Sequence, residues 1–375
     1  MPLFDVPLDD LRRRTSIKWR RFAPDVLPMF VAEMDVHLAA PVAERLQRAI
    51  TDGDTGYPEL PLYQEAFASF AEWMWGWSLD PTADMSLAGD VMSGMRELLL
   101  AITQPGDAVV INPAIYPPFR LICHTTGRPL LEVPMRADGR LDLAGLEEAF
   151  SGARGPKPAA YLLCSPHNPH GTIHTRDELA VVAQLAEKYS VTVISDEIHA
   201  PVAGSAHVPF VTLPGAERSF VVTSASKSWN LAGLKAGLIV AGPEVRDVVH
   251  GLPAHVAESV SHLGVLSHAA ALTDARDWLQ ELTVEIAQNK VHFAEELARQ
   301  LPACPYEPSE GTYLAWLDCS ALGLEFPAAR FHEVGRVRFG FGTDYDPAAT
   351  QHIRVNLGTS RDLITEGVRR MAASL

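Results

Sequence analysis

Short unbroken apolar runs recur through the middle of the chain, and amphipathic stretches lie between them. The runs at 108–111, 130–133, 159–164, 191–195, 220–222 and 236–241 read as strands, most of them buried on both faces. The intervening pattern is helical at 41–50, 62–75, 97–103, 142–150 and 175–189. The helix at 97 follows a glycine-bearing turn, 91–96, Asp142 caps the helix that it opens, and Thr175 with Glu178 makes a capping box. Continuous apolar strands alternating with helices predict an α/β fold whose central sheet is mostly parallel and covered on both faces.

The ends of the chain follow other rules. Residues 1–38 carry many charges and prolines and no sustained period; within them 28–35 is a strand-like apolar piece ending in carboxylates. From 243 onward the pattern is mostly helical, with a long stretch at 274–301 that is a candidate link between domains. Strands at 313–318 and 352–357 and helices at 326–333 and 360–371 predict a smaller α+β domain. The expected division is an arm at 1–40, a large domain at 41–273 and a small C-terminal domain at 274–375. A chain of 375 residues is too long for one compact core, which agrees with this division.

Charge and composition narrow the function classes. The net charge of −15 argues against a nucleic-acid partner, which needs a basic face. Cys123, Cys164, Cys304 and Cys319 have no metal-ligand or redox spacing and read as buried thiols of a reducing cytosol. The N-terminus lacks a signal pattern and no apolar run would span a bilayer, so a cytoplasmic location without membrane contact is expected. The histidines form no metal-ligand set. Nucleotide-binding loops, the nicotinamide fingerprint and the serine-hydrolase and zinc-protease motifs are absent.

The candidate chemistry centres on Thr223–Asn230. An apolar strand ends in small hydroxyl residues, and a tight turn then places Lys227. A desolvated lysine beside a second cation, here Lys235, loses its proton readily and attacks aldehydes. Ser224 and Ser226 offer hydroxyls to a phosphate. A Schiff-base lysine flanked by phosphate donors suits pyridoxal 5′-phosphate (PLP), although a surface turn with two ordinary lysines reads the same way. In parallel sheets ligands gather beyond the carboxyl ends of strands, and Tyr116, Asn168, Asp196 and Lys227 all follow such ends. Asp196 could keep a pyridine nitrogen protonated or simply cap a turn. Asn168 could donate to a ring oxygen or form an ordinary Asn-Pro turn. Tyr116, framed by prolines, could stack on a flat ring or sit in the core. Arg354, in an apolar strand, could hold a substrate carboxylate or a structural salt bridge. His199 could line the pocket or be a satisfied structural histidine.

These pieces, in order, carry a resemblance. Lys18-Trp19, residues 29–35, Gly56-Tyr57, Ser93-Gly94-Met95, Tyr116-Pro117-Pro118-Phe119, residues 166–171, Ser195-Asp196-Glu197-Ile198-His199, Ser224-Ala225-Ser226-Lys227, residues 310–318 and Ile353-Arg354-Val355-Asn356 resemble the fold-type I, aspartate-aminotransferase-like PLP enzymes. The chain looks most like their cystathionine β-lyase / C–S lyase branch, the MalY/PatB type. It departs from that branch at Glu33 and Val36, where aspartate and phenylalanine are usual, and at Arg20, where an acidic residue is usual. The resemblance implies that Lys227 carries the cofactor and moves the Cα proton, Asp196 pairs with the pyridine nitrogen, Asn168 with the ring oxygen, and Tyr116 stacks on the ring. It implies that Gly94, Met95, Ser224, Ser226 and Lys235 hold the phosphate and that His199 lines the cofactor pocket. Arg354 and Asp35 fall on the substrate side. Tyr57 would reach the neighbouring subunit's phosphate in a homodimer with shared sites, and the N-terminal arm would join the small domain. The implied reaction is β-elimination from cystathionine or other S-substituted cysteines, giving a thiol, pyruvate and ammonia. Transamination, or PLP binding by a regulator with little turnover, are the alternatives.

Overall fold

The computed structural model describes residues 2–375. The described residues form two compact units: residues 38–167 with 173–279, and residues 2–37 with 168–172 and 280–375.

The first unit is built on a seven-stranded sheet. Its spatial order is Met85–Ala88, Gly237–Ala241, Phe220–Thr223, Thr192–Asp196, Pro158–Cys164, Ala108–Ile111, Leu130–Glu132. The five strands from Phe220–Thr223 to Leu130–Glu132 pair in parallel; Gly237–Ala241 runs antiparallel to both of its neighbours. The expected α/β architecture with a mostly parallel sheet is therefore present. Four parallel neighbours, Phe220–Thr223, Thr192–Asp196, Pro158–Cys164 and Ala108–Ile111, end just before or at Lys227, Asp196, Asn168 and Tyr116.

Two elements of this unit escape the hydrophobic pattern. Met85–Ala88 lacks β-branched residues and becomes a strand only by pairing with Gly237–Ala241 at the sheet edge. Pro118–Thr126 is a helix whose proline occupies the first position, where its missing N–H costs nothing. A third element begins earlier than expected. The helix at 91 starts at Val91 and not at Glu97, because Asp90 caps it: the Asp90 carboxylate accepts from Ser93 N at 2.8 Å and Ser93 Oγ accepts from Asp90 N at 2.9 Å. Gly94 thus lies in the first helical turn. A Cβ there would meet Val222 Cγ1 at 3.1 Å and Ile239 Cγ1 at 3.2 Å, so glycine lets the helix lie directly on the sheet.

The second unit holds a three-stranded antiparallel sheet in the order Gly340–Phe341, His352–Asn356, Leu314–Asp318. A short parallel pair, Leu27–Pro28 with Val337–Arg338, ties the N-terminal arm to the C-terminal part of the chain. The core packs Leu27 and Met29 of the arm among Phe293, Leu317, Phe331, Val355 and Ile364. Beyond Pro28 the strand-like arm is irregular, and its carbonyls serve buried side chains rather than a sheet.

Candidate active site

In the first unit, Asp196 closes its strand in the sheet interior. Its Oδ1 accepts from Ile198 N at 3.1 Å. Burial pushes its carboxyl up to about 7; the Ile198 N–H pulls the other way, Glu197 adds to the rise and the charge of Lys227 opposes it. Asp196 and Lys227 therefore feel one another, as their places at neighbouring strand ends require.

The turn after Asp196 is pinned by Glu197, which is buried. Its carboxylate accepts from Ser195 Oγ at 3.0 Å and Phe210 N at 2.9 Å and pairs with His207 Nε2 at 2.8 Å. Its backbone N–H donates to Val222 O at 2.9 Å, joining the turn to the strand that leads to Lys227. His199, also buried, opens the short helix Ala200–Ala203 in the same turn.

The lysine loop is held along its length. Ser224 Oγ donates to Ala236 O at 2.7 Å and accepts from Ser226 N at 3.1 Å, so these hydroxyls also shape the turn. Ala225 N donates to the buried Tyr63 hydroxyl at 3.1 Å, and Tyr63 meets His268 Nδ1 at 3.2 Å. Burial raises the Tyr63 phenol above its ordinary range and lowers His268 to about 4, so both stay uncharged at neutral pH. Trp229, fully buried, donates from Nε1 to Ala275 O at 3.0 Å. Asn230 takes a left-handed φ of 58°, which asparagine tolerates, and Leu231 N closes the turn on Ser226 O at 2.8 Å.

Lys235 reaches the helix cap, with its Nζ 2.7 Å from Asp90 Oδ2. Burial alone would raise the Asp90 carboxyl, but Lys235 and the Ser93 N–H together hold it below the ordinary value. A cation, a helix N-terminus and the Gly94–Met95 turn thus share one place, which is a favourable one for an anion. Tyr116 packs half-buried against the core beside this sheet, and Tyr57 is 91% exposed.

In the second unit, Arg354 is buried in the middle strand. Nη1 donates to Asn168 Oδ1 at 3.0 Å and Nη2 to Phe30 O at 2.9 Å; Cζ lies 4.8 Å from the Tyr345 ring centre. Nε is buried with no hydrogen-bond partner, and among the described residues no carboxylate stands within ion-pair distance. The salt-bridge reading of Arg354 is not what the structure shows: the guanidinium is positioned by neutral acceptors. Asn168 thus serves Arg354 through its amide oxygen.

Asp35 is committed within this unit. Oδ2 pairs with Lys18 Nζ at 2.7 Å and Oδ1 accepts from Trp19 Nε1 at 3.0 Å, while Lys18 also donates to Glu33 O at 3.0 Å. Asn356, two residues beyond Arg354, donates to Val31 O at 2.8 Å and Glu33 O at 2.7 Å, and Tyr313 Oη donates to Ala32 O at 3.2 Å. The arm is thus laced to the strand that presents Arg354. Sequence reasoning did not single out Glu197, Tyr63, Asp90, Lys18 or Asn356 as parts of the site. The Asp196-Glu197 doublet and the Asp90/Ser93 spacing were signals for two of them; the rest are made by contacts distant in sequence.

The family model for aminotransferase class I and II matches residues 28–371. A protein of Mycobacterium leprae named "Putative cystathionine beta-lyase" is 42% identical over 100% of this chain and 98% of its own length. The cystathionine beta-lyase of Corynebacterium glutamicum is 31% identical over 98% of this chain and 99% of its own. A crystal structure from Corynebacterium diphtheriae, described as a "putative plp-dependent beta-cystathionase", superimposes with a TM-score of 0.92 at 28% identity, covering 98% of this chain and 97% of that one. The chain belongs to the aminotransferase class I and II family. Within that family it falls in the cystathionine β-lyase / C–S lyase branch.

Proposed function

We propose that the protein is a PLP-dependent C–S β-lyase. It takes up cystathionine or another S-substituted L-cysteine with one water and releases a thiol, pyruvate and ammonia. The observation that carries the amino-acid reading is Arg354, a buried guanidinium with an open Nε and no carboxylate of its own. Such a group suits the α-carboxylate of an amino acid. The lyase reading is supported by the full-length similarity to relatives of that name.

The residues of the first unit fit PLP. Burial holds Asp196 near half-protonation at neutral pH, and a protonated ring nitrogen beside it would draw it into the ionised form. Lys227 would hold the cofactor through its amine. Ser224, Ser226, Lys235 and the helix turn at Gly94 and Met95 would hold the phosphate. Tyr116 would stack on the ring, and His199 would line the pocket. Bound PLP supplies an aldehyde for the substrate amine and a ring that draws electrons from the Cα–H bond. The Lys227 amine would take the Cα proton, and the C–S electron pair would leave with the thiolate, which is then protonated. Arg354 would fix the substrate carboxylate and so the orientation of the amino acid. Asp35, on the substrate side, would act by keeping the arm against Arg354.

A homodimer with shared sites agrees with Tyr57, whose ring finds little cover on its own chain, and with Ile50 and Leu60, which are also exposed. We infer a cytosolic location, in keeping with four buried cysteines; among the described residues no helix is long and apolar enough to cross a membrane. The test is incubation with L-cystathionine and PLP. Pyruvate and homocysteine formed without any added oxo acid support the lyase. A 2-oxo acid that forms only with an acceptor oxo acid would make the protein an aminotransferase.

A further inference from the structure

Arg338, like Arg354, has a guanidinium with no carboxylate within ion-pair distance among the described residues and a buried Nε without a hydrogen-bond partner. Its Cζ lies 3.8 Å from the ring centre of Phe341 and 5.1 Å from that of Phe22. Burial disfavours its charge; Asp344 offsets this and Arg21 adds to it, so one exposed carboxylate and one further cation face the spot. Neither makes an ion pair with Arg338 among the described residues. An arginine that is partly desolvated and flanked by rings is prepared for an anion that it does not yet hold.

Its place relative to Arg354 is set by strand pairing. Gly340 stands opposite Arg354, and Arg338, the end of the separate strand Val337–Arg338, lies two residues upstream of Gly340. A Cβ on Gly340 would meet Tyr345 Oη at 2.7 Å and Arg354 Cβ at 3.3 Å, so glycine lets Tyr345 close under Arg354. Tyr345 also lies close enough to Arg338 to affect its charge, and Phe30, whose carbonyl holds Arg354, meets the Phe22 ring at 5.2 Å. The two guanidiniums therefore lie against neighbouring rings, Arg338 on Phe22 and Phe341 and Arg354 on Tyr345.

We propose that Arg338 is a specificity-determining residue that binds a carboxylate on the leaving-group side of the substrate, with Asp344 facing an ammonium on the same group. This rests on Arg354 being the α-carboxylate anchor. The preferred substrates are then thioethers whose departing thiol carries its own amino-acid head, and plain S-alkyl cysteines are poorer ones.

The test compares cystathionine, S-(2-carboxyethyl)-L-cysteine, S-(2-aminoethyl)-L-cysteine and S-ethyl-L-cysteine. Each is measured for dissociation constant by calorimetry and for kcat and KM by pyruvate release, on the PLP-loaded wild type and on Arg338→Met and Arg338→Lys. Methionine keeps the apolar stem between the rings, which guards the fold. In Arg338→Met the preference for the carboxyethyl over the ethyl compound should fall at least tenfold, through KM and the dissociation constant rather than kcat. Lysine should restore part of it, and the aminoethyl compound should not weaken. A loss shared equally by all four compounds, or an unchanged preference, would overturn the proposal. Binding with the expected ratios but without pyruvate would uphold Arg338 and overturn the lyase reading. Failure of the wild type to bind any of the four would overturn both.

Discussion

Lys18 and Asp35 form an ion pair of 2.7 Å in which both side chains are almost wholly removed from water. Trp19 Nε1 occupies the other carboxylate oxygen and Glu33 O takes a second Lys18 proton, so the pair is well satisfied. Truncating one member leaves a buried charge without its partner. Asp35→Ala should cost about 3–5 kcal/mol of stability, and Lys18→Met with Asp35→Leu together should cost much less. Denaturant unfolding of the single and double variants measures this. Equal losses would show that the pair matters only as packing.

Asp196 gives the cofactor-free protein a pH dependence of definite sign. Its carboxyl is raised to about 7, against about 4 in an unfolded chain. Between those values the folded state holds a proton that the unfolded state has released. The stability that Asp196 contributes is therefore full at the acid end and is lost as pH rises towards 7, by up to about 1.4 kcal/mol per pH unit. Asp196→Asn should flatten this part of the curve and make the cofactor-free protein more stable than wild type at pH 7–8, while weakening PLP binding. Melting temperatures across pH 4–8 for the two proteins decide it; parallel curves would contradict it.

Arg354→Ala should raise KM for an amino-acid substrate by the equivalent of roughly 2–5 kcal/mol, the cost of losing a desolvated charge pair. Lysine at this position should recover little, because one ammonium cannot contact Asn168, Phe30 O and a carboxylate in the same geometry. An unchanged KM in Arg354→Ala would mean that another group anchors the carboxylate.

Lys227→Ala should keep its fold, since the turn is held along its length by Ser224, Tyr63, Trp229 and Leu231. The variant should lose the visible absorbance of bound PLP and all turnover. Circular dichroism and an absorbance spectrum test the two halves separately. Retained pyruvate formation would remove Lys227 from the chemistry.

Tyr57→Ala should leave the unfolding of a single chain within about 0.5 kcal/mol, because an exposed side chain loses little on truncation. If the sites are shared between subunits, the same change should weaken PLP affinity. Cofactor titration together with sedimentation gives both readings, and unchanged affinity in a confirmed dimer would exclude a role for Tyr57 at the neighbouring site.

Local physics wrote much of this fold into the chain. The buried strands, the Asp142, Thr175 and Ser360 caps and the alternation of strand with helix follow from side-chain period and capping chemistry, which neighbours in sequence decide. The positions of Asp196 and Lys227 at strand ends were legible for the same reason, since each follows an apolar run. What needed tertiary structure is long-range. Whether Arg354 had a carboxylate could not be read from residues 352–356, because its partners Phe30 and Asn168 lie 324 and 186 positions away. Whether Asp35 was open to a ligand depended on Lys18 and Trp19 folding over it. The edge strand Met85–Ala88 exists only because Gly237–Ala241 offers it hydrogen bonds. Sequence pattern determines which segments bury a face; only the folded chain decides which polar groups partner one another, because those partners are distant in sequence.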